Sequence, residues 1–133
     1  MKKFLTTLLG AAFMMTCAVV HAEIKTYEGV GEYIMTDETI DFAKNQAELF
    51  AERDALEQVS VYIKSQTKTV NSVLDSDEII MISAGILHVT ETKFQIEPTL
   101  DGLNVKAFIT AEIDTTELEE LLEQAIKERL PDE

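Results

Sequence analysis

The chain has 133 residues, with 11 basic against 25 acidic residues and a net charge of −14. A surface this acidic repels phosphate backbones and anionic headgroups, which argues against nucleic acid and lipid surfaces as partners. It leaves a cationic partner, divalent ions or plain colloidal repulsion as the readings of the charge.

Residues 1–22 read as a secretory signal peptide. Lys2 and Lys3 form a basic start, residues 4–20 are mostly apolar, and Val20-His21-Ala22 supplies a small-residue cleavage site between Ala22 and Glu23. The apolar stretch, at about 17 residues, also falls near the shorter limit of a membrane anchor. The single Cys17 raises lipidation, but Met14-Met15-Thr16 precede it, and Thr16 fits poorly where lipoprotein processing wants a small residue. Cleavage after Ala22 is therefore the expectation. It gives an exported protein of the periplasm or cell envelope, with no membrane span after cleavage. Residues 23–133 then form a single α+β domain without cysteine, so stability must come from packing rather than from disulfides.

Residues 26–35 alternate as a strand, with Tyr27, Gly29, Gly31 and Tyr33 on one face. Two glycines two apart leave that face bare and open to close approach. Thr36 or Asp37 is the expected N-cap of a long helix over 38–65, which contains neither glycine nor proline. Its alanines, Ala43, Ala47, Ala51 and Ala55, fall four apart and form a smooth stripe. The natural partner of that stripe is the Gly29 and Gly31 face. A second stripe of Phe42, Leu49, Leu56 and Ile63 falls seven apart on roughly the opposite side. It needs a separate cover: the terminal helix through Leu118, Leu121 and Leu122, or another molecule.

Residues 66–73 read as a short edge strand. Asp75 caps a short helix over 77–84, with Glu78 placed for a capping box and Gly85 at its C-terminal turn. Residues 86–97 and 103–114 form a hairpin turning over 98–102. In its second strand Leu103, Val105, Ala107, Ile109, Ala111 and Ile113 face inward. A final helix, capped from residues 114–117, runs to about Leu130 with Leu118, Leu121, Leu122 and Ala125 on one stripe and Pro131 beyond. The order is β-α-(β)-α-β-β-α: a small antiparallel sheet packed by one long Ala-rich helix and a C-terminal amphipathic helix.

No catalytic constellation stands out. His88, the histidine outside the leader, lies on a strand with no nucleophile elbow or paired cysteine, and reads as a half-exposed strand residue. No His/Cys cluster has zinc spacing. Gly29-Val30-Gly31 is followed by strand, so it is no phosphate loop. Asp75, Asp77 and Glu78 lack the glycine and spacing of a calcium loop and read as a helix cap. Carboxylates are plentiful, so a carboxylate-based enzyme, or a small-ligand or divalent-cation binder, stays open as the alternative function.

Tyr27-Glu28-Gly29-Val30-Gly31, the helix through Ala51-Glu52-Arg53-Asp54-Ala55, then Val61-Tyr62-Ile63-Lys64-Ser65, Gly85-Ile86-Leu87 and the closing strand to Ile113 carry a resemblance. They are similar to the small envelope-lipoprotein domain family shared with the N-terminal domain of flagellar assembly protein T. The resemblance covers most of residues 23–133 and implies an α+β envelope domain without catalytic residues. Thr16 departs from the lipoprotein members. The expectation is thus a non-enzymatic envelope protein with no cofactor and no metal. It would act as an interaction or assembly module, its partner being an envelope protein or a second copy.

The leader generates a direct test. Intact-mass measurement of the exported protein should give an N-terminus at Glu23; a mass carrying acyl chains on Cys17 would overturn the reading.

Overall fold

The computed structural model describes residues 23–66 and 73–129. In chain order these form β1 (Ile24–Met35), α1 (Ile40–Gln66), α2 (Ser76–Ala84), β2 (His88–Thr99), β3 (Gly102–Asp114) and α3 (Thr115–Arg129). The architecture is α+β. The three strands make one antiparallel sheet in the order β1-β3-β2. Of the expected edge strand over 66–73, Gln66 is instead the last residue of α1, since no glycine or proline stops the helix before it, and Val73 is helical too; residues 67–72 lie outside the described residues. So do the signal segment, Leu130 and Pro131.

The helix starts differ slightly from expectation, for local reasons. α1 is capped by Thr39, whose Oγ1 accepts from the Phe42 N–H at 3.2 Å, rather than by Thr36 or Asp37. Glu38 turns back instead: its carboxylate accepts from the Tyr33 hydroxyl and from the Thr36 N–H. α2 starts at Ser76 and carries a complete capping box between Asp75 and Glu78. Gly85 closes it with φ −69°, so the left-handed freedom of glycine is not used there. It is used at Gly102, at φ +145°, where a Cβ would lie 2.3 Å from the Met35 carbonyl oxygen. α3 is capped by Asp114, which accepts from the Thr116 and Glu117 N–H groups.

The helices cover one face of the sheet. α1 lies along β1 and β3, and its alanines are fully buried against Val105, Ala107, Ile109 and Ala111. Gly29 and Gly31 allow the approach. A Cβ on Gly29 would sit 2.1 Å from the Ala51 carbonyl oxygen, and one on Gly31 2.1 Å from that of Ala47. The helix backbone thus rests directly on the strand backbone. A second, larger-residue core lies at the other end of α1. There Val59 and Ile63 meet Leu74, Ile79, Ile113, Leu118, Leu122 and Ile126.

The two cores belong to one row. Ala43, Ala47, Ala51, Ala55, Val59 and Ile63 are spaced by four, and each step of four turns the row by about 40° around the helix. The row starts on the sheet and winds toward α2 and α3. Small residues occur where backbone meets backbone, and branched residues where side chains meet side chains.

Adding a methyl group at either strand glycine tests this contact. Gly29→Ala and Gly31→Ala are each expected to lose about 3 kcal/mol in urea unfolding. Gly85→Ala, whose Cβ would meet its nearest neighbour at 3.4 Å, should stay within about 0.5 kcal/mol.

Candidate functional site

The Phe42, Leu49, Leu56 and Ile63 stripe is divided by the winding of the buried row. The stripe runs nearly straight along α1, whereas the row turns toward it and meets it at Ile63, which belongs to both. Ile63 and Leu56 are 2% and 7% exposed. α3 covers Ile63 through Leu118 and Leu122, while Leu121 is only half-buried. Phe42 and Leu49, on the N-terminal half, are 44% and 56% exposed. The expectation of one cover for all four is therefore corrected. Two are core, and two are surface because α2 and α3 pack only toward the other end of the helix.

Phe50 joins the exposed pair at 49% exposure. It was not foreseen as part of any stripe. Its place at the eighth position after Phe42 is the spacing that could have found it. The Phe42 ring meets Tyr33 edge-on, with centroids 5.8 Å apart. Tyr33 in turn donates to Glu38. The apolar patch therefore abuts a hydrogen-bonded turn rather than a mobile chain end.

Side chains of α1 also close the free edge of β1. The Asp54 Oδ2 accepts from the Val30 N–H at 2.9 Å, and the Gln58 Nε2 donates to the Glu28 carbonyl at 2.7 Å. An edge strand's unpaired backbone groups invite another strand, and these two side chains occupy one N–H and one carbonyl at its middle. Beside them lies a shallow cleft of about 450 Å³ lined by Tyr27, Asp54, Glu57, Gln58, Val61 and Tyr62. The Tyr27 hydroxyl has no hydrogen-bond partner among the described residues, and burial pushes its pKa up. The Asp54 carboxylate in this cleft is already engaged with β1.

The remaining chemistry is dispersed. His88 is exposed at the start of β2. Glu52 is held above the usual carboxylate range by burial first and by neighbouring Glu48 second; it lines neither this cleft nor the depressions around Phe108 and Ser60. Asp75 and Glu78 serve the cap of α2, and Glu78 also forks with Arg129 of α3. Among the described residues no group of three or more His, Cys, Asp or Glu side chains is placed to hold a metal ion, and no helix is long and apolar enough to cross a membrane. Ala22 lies outside the described residues; Glu23 begins them, its carbonyl accepting from the Thr115 N–H and hydroxyl. No protein-family model matches the chain, and neither a curated protein nor a solved structure matches it.

The turn beside the patch has a titration signature. The Tyr33 hydroxyl, chiefly, with the Thr36 N–H, lowers the Glu38 carboxyl from 4.5 to about 2. A depressed carboxyl contributes stability that is present above its unfolded value and lost as pH falls through its folded one. The window is therefore pH 4.5 down to about 2. In Tyr33→Phe, the Glu38 carboxyl followed by NMR should titrate closer to 4.5. Glu38→Gln should flatten the stability profile across that window. An unchanged Glu38 titration in Tyr33→Phe would refute the assignment.

Proposed function

We propose that this is an exported, non-enzymatic protein of the periplasm or cell envelope that acts as an interaction or assembly module. The observation that carries the reading is the apolar surface of Phe42, Leu49 and Phe50 on the N-terminal half of α1. Phe42 and Leu49 share a face and Phe50 flanks it, and large apolar groups exposed along one half of a helix are a usual anchor of a protein contact. The resemblance to the small envelope-lipoprotein domain supports an envelope setting. The net negative charge of −14 favours a partner that is not itself acidic.

The test separates interface from core. Leu49→Glu with Phe50→Glu should change stability by less than about 1 kcal/mol, because both side chains already face water. The same pair should abolish whatever assembly light scattering detects for the wild type, or the capture of a partner from envelope extract. Leu56→Glu, placing a charge at a buried position, should unfold the protein. Unchanged assembly and capture in the double variant would remove the patch from the proposal.

A further inference from the structure

The two edges of the sheet are treated differently. The middle of the β1 edge is blocked by Asp54 and Gln58. Along β2, among the described residues, no side chain of α1 hydrogen-bonds the strand backbone and no strand lies beyond it. α1 reaches β2 through Val89, packed against the alanine core, and Lys44, over the Phe94 ring. Phe94 and Ile96 pair directly with Ala107 and Val105, so all four share the helix-side face. Ala107 and Val105 are buried there, while Phe94 and Ile96 are exposed.

The bounds of this open edge are set by the chain. A register shift between Val89 and Glu91 breaks the ladder at one end, and Pro98 stands at the other. Between them, residues 91–97 form an extended run with alternating surfaces. Phe94 and Ile96 give the helix side an apolar floor. Its wall is the α1 row Lys44, Glu48, Glu52, whose first member places its Nζ 5.2 Å above the Phe94 ring. On the opposite face stand Glu91, Lys93, Gln95 and Glu97, with Lys93 paired to Glu91 at 3.6 Å. Carboxylates outnumber cations on both sides of the edge.

We propose that the free edge of β2 accepts an extended, cationic peptide segment by strand addition. Its apolar side chains would lie on Phe94 and Ile96, and its basic ones beside Glu91 and Glu97. Backbone pairing supplies the affinity, and the alternating pockets and charges supply the choice of partner. A second copy brings an edge of the same net sign, Glu91 and Glu97 against Lys93. Antiparallel self-pairing centred on Phe94 sets Glu91 opposite Glu97 of the other copy, whereas centring on Gln95 sets Lys93 opposite Glu97, so the test below separates self-pairing from peptide binding. The proposal rests on the reading as an interaction module but uses a surface separate from the Phe42, Leu49 and Phe50 patch.

The probe is a synthetic heptapeptide of alternating lysine and valine, titrated into the isotope-labelled full chain and followed by amide NMR. Saturable shifts are expected over residues 91–97, weakening with added salt. A heptapeptide with glutamate in place of lysine, and one with N-methylated backbone, should each bind at least about tenfold more weakly. Glu91→Lys with Glu97→Lys, both exposed, should weaken the lysine peptide by about tenfold while leaving the melting temperature unchanged. Any of three results would overturn the proposal: no shifts along β2, equal binding of the N-methylated peptide, or concentration-dependent shifts of β2 without peptide. The last would mark self-pairing. Loss of assembly in the α1 double variant, with β2 still silent to peptide, would sink this inference and leave the module reading standing.

Discussion

The contact between the backbone of α1 and the backbone of β1 organises the molecule. Gly29 and Gly31 remove the side chains that would hold a helix off a strand, and Ala47 and Ala51 place their carbonyl oxygens where those side chains would be. A helix normally stands about 10 Å from the layer it covers because branched side chains interdigitate between them. Here methyl groups alone fill much of the interface. The apolar area buried per residue is correspondingly small, so the domain needs a second centre of packing. It has one in the Val59, Ile63, Leu118 and Leu122 cluster, at the end of α1 away from the small residues.

That division determines what remains exposed. A helix pressed so near β1 brings its flanking polar side chains within reach of the strand edge, and Asp54 and Gln58 bond to it. The same placement leaves the third strand without a roof. The sheet is wider than the one helix laid on it, and α2 and α3 are drawn to the other core. The Phe42, Leu49 and Phe50 patch, the open β2 edge and the capped β1 edge thus follow from one geometric choice made by two glycines.

Much of this was legible in the residues. The glycine pair, the alanine spacing, the alternation of Val105 through Ile113 and the Asp75 cap each encode a local requirement that no distant element can alter, and all lie where the pattern placed them. What was not legible depended on distance in space. Phe42, Leu49, Leu56 and Ile63 look equivalent in sequence. Their fates differ because the four-residue row drifts around the helix while the seven-residue stripe does not. Thr39 took the cap from Thr36 and Asp37 because Glu38 found Tyr33, a partner on another element. Nothing in the sequence sets Phe94 and Ile96 apart; the width of α1 against the sheet leaves both exposed on its helix side.

The acidity of the chain has a structural consequence in this light. A protein with an unroofed sheet edge and exposed aromatic residues runs the risk of pairing with itself, and charge is one of the devices that prevents it. Glu91, Lys93 and Glu97 stand along the free edge, and Glu48 and Glu52 line the groove beside it. In a chain carrying 25 acidic residues, the net negative charge along such an edge works against the approach of acidic chains and favours a basic strand, as the proposal of strand addition requires. Under that proposal colloidal repulsion and partner selection are one property: carboxylates that repel like-charged chains also set the charge of what binds the edge.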